Sequence, residues 1–435
     1  MKKVAIFTNF KDYLRSFSPL ILSAQQVKAL VRHGYKPVLI ATEGFAPPAG
    51  SSFNMAEIRY IPDVPRDSDD SIKDPKFQAD VDMLVGEIEE CLKDIDVVIT
   101  HDLLYLPDYT KYNIACRTVA EKNKKLRWLH WMHSATPPDK LIGERTKFGD
   151  IYSDVMGKKF PNSLIVYPNT YDIPRVAKSI GFSEDEVRHV PHWLDFESFN
   201  QFHPMTQKLI DKYQILEAEV VCVYPLRLDR GKQPHITMEI MAAIKRSGTT
   251  VRMIFMDFQS TGGDKVDYRE EIKQSGIELG LNDYDLIFTS EFDSSLQTDC
   301  PRQMVSDLFG LSNVFILPSR SETYSLIAQE AMSKGNLIIL NHDFPAMRSI
   351  YGDVPLYDKF SSDVDILALV AESTGKTDTN YKPSATQHYH DLGQRILYEI
   401  RNNRILQGKT WVRTERNMDK VFKVYIDPLI NYEGD

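Results

Sequence analysis

Two short apolar runs, Val314-Phe-Ile-Leu317 and Leu337-Ile-Ile-Leu340, flank a stretch that opens with Pro318-Ser319 and closes with Lys334-Gly335. Each run has the length and continuity of a strand buried on both faces. The stretch between them starts with turn residues, and its Lys-Gly end marks the stop of a helix. Strand, helix and strand in this order make a βαβ unit, whose two strands lie parallel. A parallel sheet needs helices on both faces, so this unit restricts the chain to an α/β architecture. Ligands of such sheets bind at the carboxyl ends of the strands, beside helix N-termini. Glu322 falls at that mouth, and Glu330 follows about two turns further on.

The spacing of the two glutamates fits one chemistry poorly, unless Glu322 folds back out of the loop. Eight positions along a helix rise about 12 Å and rotate by about 80°. A retaining glycosidase needs its two carboxyl groups about 5 Å apart. The pair suits a different division of labour, with Glu322 beside the reacting sugar and Glu330 on a neighbouring hydroxyl such as a ribose. The amides of Ser325 and Leu326 are then expected to face phosphate at the helix N-terminus.

Similar units recur along the chain. Val4-Ala-Ile-Phe7, Pro37 to Ala41, Val97 to Thr100, Leu126 to Met132 and Leu164 to Tyr167 read as strands. A helix is expected from Ser18, as N-cap, with Pro19 following, up to His33-Gly34, and another over roughly 77–93. Residues 200–216 read as a linker. The second half repeats the pattern with strands at Val220 to Tyr224, Arg252 to Phe255 and Leu286 to Phe288, and turns helical and polar over 384–408. The opening βαβ lacks a G-x-G-x-x-G fingerprint, so no dinucleotide is indicated.

Arg227 and Lys232 follow the strand Val220 to Tyr224 in a loop. A guanidinium clamps phosphate bidentately and an ammonium adds a point charge, so together they can offset charge growing on a diphosphate leaving group. His133 closes a strand, with His101 and His130 as neighbours of the same kind. Asp-x-Asp occurs at five places, from Asp67/Asp69 to Asp363/Asp365, and in so acidic a chain implies no metal.

Pro318-Ser-Arg-Ser-Glu-Thr-Tyr-Ser-Leu, then Glu330-Ala-Met and Lys334-Gly335, resembles the E-x7-E signature of family 4 glycosyltransferases. Those are retaining, nucleotide-sugar-dependent enzymes of the GT-B fold, two Rossmann-like domains with parallel sheets facing across a cleft. Pro225-Leu-Arg-Leu-Asp-Arg-Gly-Lys232 looks like the family's G-R-L-x-x-x-K-G loop, and Val187 to Asp195 with Phe199 looks like its V-x-P-N-G-V-D-x-x-x-F segment. Trp131-Met-His-Ser134 resembles a strand-terminal T-x-H-x motif in its histidine, with Trp131 in place of the threonine. The resemblance implies catalytic roles for His133 and Glu322 and donor-binding roles for Arg227, Lys232, Ser325, Leu326 and Glu330. It also implies no cofactor beyond a nucleotide-diphosphate sugar as co-substrate, and a saccharide or lipid-linked acceptor. The chain departs from the family at Ser325, where glycine is usual, and at Asn9 to Arg15, where a glycine-rich loop is usual. The expected organisation is an acceptor-side domain over 1–205, a nucleotide-sugar domain over 217–408, and a segment over 409–435 that returns to the first domain.

Composition sets the outer limits. The 435 residues suffice for two cores, and a net charge of −9 argues against a general polyanion binder. The cations from Arg395 to Lys423 still keep open a phage-type enzyme acting on modified bases in DNA. A catalytically silent sugar-nucleotide-binding module is the other alternative. Lys122, Lys124, Lys125 and Arg127 beside Trp128 and Trp131 could touch a membrane surface or nucleic acid, or simply lead into a buried strand. Cys91, Cys116, Cys222 and Cys300 are scattered, without a CxxC pair, which suits reduced thiols in a cytoplasmic protein. The N-terminal apolar run is too short for a signal peptide, and no stretch is long enough to span a membrane.

Overall fold

The computed structural model describes residues 1–14, 17–67, 74–133, 155, 157–258, 264–320, 324–360 and 381–432. The chain divides into two compact units, Met1–Trp193 with Met418–Asp435, and Leu194–Asn417. Each is an α/β unit around one parallel sheet, the domain content expected of a GT-B chain.

In the first unit β1 (Lys3–Phe7), β2 (Lys36–Thr42), β3 (Glu57–Ile61), β4 (Val97–His101), β5 (Arg127–Trp131), β6 (Ser163–Tyr167) and β7 (Val187–His189) lie in the order β3-β2-β1-β4-β5-β6-β7. Every pair is parallel. Alternation along β1 sends Ala5 and Phe7 into one apolar layer and Val4 and Ile6 into the other. The second layer takes in the chain's return, where Met418, Val421, Phe422, Ile426 and Ile430 are buried. Each such side chain contributes roughly 1.5–3 kcal/mol on burial. The helix Ser18–Arg32 begins one residue earlier than expected. Its N-cap is Phe17, which provides no side-chain cap, and Ser18 is already helical.

The second unit orders β8 (Val220–Tyr224), β9 (Val251–Phe255), β10 (Leu286–Phe288), β11 (Val314–Leu317), β12 (Leu337–Asn341) and β13 (Leu356–Asp358) as β10-β9-β8-β11-β12-β13. Counted from its own first strand this is 3-2-1-4-5-6, the order of the first six strands of the other unit and the usual Rossmann order. In such a sheet the strand order reverses between β8 and β11, which opens a crevice at their carboxyl ends. The stretch read as a linker instead carries the helix Pro204–Tyr213, whose Leu209 and Ile210 are buried. The polar C-terminal stretch forms two helices, Tyr381–Asn402 and Arg404–Glu415.

Candidate active site

The reversal point of the second sheet brings two loops together. After β8 the chain runs through Arg227 into a short 3-10 turn, Arg230–Lys232, capped by Asp229, whose side chain accepts from Gly231 N at 2.8 Å. The Tyr224 hydroxyl donates to Lys232 O at 2.8 Å and ties the turn to the strand end. The segment leaving β11 docks directly on this turn, with Arg320 N donating to Gly231 O at 3.1 Å. Gln233 is buried at a φ of 54°, and the amide orientation that satisfies both neighbours donates to Pro318 O at 2.7 Å and accepts from Arg320 Nε at 3.3 Å. The cation loop and the segment leading to the glutamate helix are therefore one hydrogen-bonded assembly. Arg227 is exposed and has no ion-pair partner among the described residues. Arg230 is engaged elsewhere, with both Glu271 oxygens at 2.8 and 2.9 Å and the Tyr268 ring at 4.3 Å.

Glu322 lies outside the described residues. Downstream, Ser325 sits at φ 62°, ψ 69° as N-cap of the helix Leu326–Ser333. A side chain in this left-handed geometry costs roughly 1–2 kcal/mol. The Tyr351 hydroxyl holds the turn, 2.8 Å from both Tyr324 O and Ser325 O. Glu330, on the same helix, pairs through Oε1 with Arg302, while its Oε2 is buried without a partner among the described residues. A buried carboxylate oxygen left unmatched costs on the order of 1–3 kcal/mol, which a ligand hydroxyl can recover.

In the first unit the three candidate histidines separate. His130 on β5 is buried, donor or acceptor to Thr100 Oγ1 at 2.9 Å and packed on Phe160 at 4.6 Å, and burial pushes its pKa down to about 3. It belongs to the core. His101 and His133 are bonded to each other, Nδ1 to Nε2, at 2.8 Å. His101 Nε2 meets Gln26 Oε1, also at 2.8 Å. His192 lies nearly parallel to His133, ring centroids 5.4 Å apart. Asp102, at φ 50°, accepts from His133 N at 2.8 Å and so fixes the backbone that presents the imidazole. Burial, then the neighbouring His192, lowers the His133 pKa to about 4. Among the described residues no three His, Cys, Asp or Glu side chains gather as a metal site.

Sequence reasoning missed Arg302, Gln233, Tyr351, Gln26 and His192. Arg302, Tyr351, Gln26 and His192 come from elements distant in the chain, and Gln233, although it follows Lys232 directly, meets a distant segment, so no local spacing could have flagged these contacts. The basic-aromatic patch resolves into ordinary structure: Trp128 and Trp131 are fully buried, and Lys122 pairs with Glu89 at 2.9 Å. Lys125 and Arg127 line a cavity of about 490 Å³ at the amino edge of the first sheet, away from the strand carboxyl ends. Several tail cations are likewise structural: Arg401 pairs with Glu219 at 2.7 Å and Arg413 is buried against the Ile215 and Ala218 carbonyls. The four cysteines are buried and unpaired. No described helix is long and apolar enough to cross a membrane.

No protein-family model matches the chain, and no curated protein sequence matches it significantly. Among solved structures, a UDP-forming α,α-trehalose-phosphate synthase from Burkholderia xenovorans is similar over 100% of both chains, with 13% identity and a TM-score of 0.37. HepE from Anabaena, in complex with UDP and glucose, is similar over 99% of this chain and 100% of its own, with 13% identity and a TM-score of 0.36. A glycosyltransferase from Rickettsia africae gives 12% identity, a TM-score of 0.36, and coverage of 100% and 99%. Likenesses this distant carry no weight about substrate or mechanism.

Proposed function

We propose that this chain is a retaining, metal-independent glycosyltransferase of the GT-B fold. It moves a hexosyl or pentosyl group from a nucleotide-diphosphate sugar to a glycan or lipid-linked acceptor. The observation that carries the reading is the hydrogen-bonded junction at the reversal point of the second sheet, where the Arg227–Lys232 loop meets the segment running into Ser325 and Glu330. In this reading Arg227 and Lys232 hold the diphosphate and take up the charge that develops as the sugar leaves. The Ser325 and Leu326 amides, at a helix N-terminus, face the same anion. Glu330 Oε2 receives a ribose hydroxyl, and Glu322 stands beside the sugar. In the first unit His133 orients a sugar hydroxyl; its lowered pKa suits a neutral hydrogen-bonding group. The acceptor proton passes to the departing phosphate oxygen, so no protein nucleophile is required and positioning supplies most of the rate.

The test is turnover of a panel of labelled nucleotide sugars, with and without saccharide acceptors. Release of nucleoside diphosphate, with the product anomer matching the donor, supports the reading. Binding without release points to a silent module, and retention of duplex DNA at physiological salt points to a DNA-directed enzyme.

A further inference from the structure

Gln26, His101 and His133 form a line of side chains whose proton positions follow from one end. Gln26 is on the helix Ser18–Arg32, His101 ends β4, and His133 follows β5. Gln26 and His101 are buried, at 2% and 6% exposure. The His101 and His133 rings are 8° from parallel with centroids 5.1 Å apart, while Nδ1 and Nε2 are 2.8 Å apart. That combination arises when two imidazoles lie edge to edge in one plane, so the hydrogen bond is well directed. Trp131, inclined at 24° to His101, and His192, inclined at 17° to His133, pack on the line and resist ring rotation.

A carboxamide oxygen only accepts. Gln26 Oε1 therefore requires the proton of His101 on Nε2. Burial keeps His101 neutral, so its Nδ1 is bare and must accept. The partner His133 Nε2 must then donate. We propose that Gln26 and His101 are positioning residues that hold His133 in the Nε2–H tautomer and leave its Nδ1 as a hydrogen-bond acceptor. On the glycosyltransferase reading, on which this last step rests, Nδ1 takes a hydrogen bond from a sugar hydroxyl. Reversing the Gln26 amide would reverse every proton in the line and turn His133 Nδ1 into a donor. Buried Gln26 Nε2 has no partner among the described residues in the observed orientation, so the orientation is what the experiment must read.

Imidazole ¹⁵N shifts of the full chain, labelled at histidine, report the tautomer directly, with His133→Gln assigning the resonance. The wild-type chain is expected to show His133 protonated on Nε2 alone. Gln26→Glu keeps an acceptor and should preserve that state, whereas Gln26→Met should give a tautomer mixture. With UDP-glucose as probe, Gln26→Met should raise KM about tenfold, the loss of one well-placed hydrogen bond, with kcat less affected and Gln26→Glu restoring it. His133 protonated on Nδ1 in the wild type overturns the proposal, as does a tautomer unmoved by Gln26→Met. A shifted tautomer with unchanged KM overturns the positioning role. If the wild type shows the expected tautomer but turns over no nucleotide sugar, the glycosyltransferase reading fails while the assignment of the histidine line stands.

Discussion

Ser325 and Glu330 depart from local comfort in different ways. Ser325 holds a left-handed backbone that its side chain disfavours. Ser325→Gly should therefore raise stability by up to about 1 kcal/mol, read from the urea midpoint. A fall would mean that the serine side chain is itself needed there. Glu330 keeps one oxygen on Arg302 and leaves the other buried and unmatched. If that oxygen serves a ribose, Glu330→Gln should cost roughly 10- to 100-fold in kcat/KM with an unchanged melting point. Arg302 is 74% exposed, so Arg302→Ala should change stability by less than about 0.5 kcal/mol. A large loss of stability in either variant would make the pair a structural brace rather than part of a site.

At the level of elements, the apolar runs that lie inside the sheets were all legible, because both faces of such strands are buried and their residues need no alternation. The strands that escaped were β3, β7 and β13, two of them only three residues long and none fully buried. An edge strand carries mixed polarity that resembles a loop. The cation loop was legible from its spacing after a strand, but its attachment through Gln233 was not, since that depends on a contact between distant segments. The same is true of Gln26 and His192, which act on residues far along the chain. Capping makes one sharp prediction. Gly181 ends the helix Ile173–Ile180 at φ 75°, and a Cβ there would lie 2.3 Å from Gly157 O. Gly181→Ala should destabilise the chain by on the order of 2–4 kcal/mol, combining backbone strain and steric overlap. A chemical-denaturation midpoint within error of wild type would show that the 157 region yields.

Across the molecule, one topology appears twice, and each copy offers its carboxyl-edge loops at the strand-order reversal. The first unit stores neutral histidines there and in its core, with pKa values of about 3 for His130 and about 4 for His133, and His101 also depressed. An unfolded histidine titrates near 6.5, so below that pH the unfolded chain binds the extra protons. Stability is complete above about 6.5 and falls as pH drops toward 4. His130→Gln should make that fall shallower by about 1.4 kcal/mol per pH unit, measured between pH 6.5 and 5 from urea midpoints. An unchanged slope would show that His130 is already charged in the fold. The second unit bears the central claim, that its two loops jointly hold a nucleoside diphosphate. The most direct measurement is the melting temperature against a panel of nucleoside diphosphates, for the wild type and Lys232→Ala, because a ligand that binds only the folded form raises it. At least one member should raise the wild-type melting temperature and leave that of Lys232→Ala unmoved. No shift from any member, or the same shift in both proteins, would contradict the account.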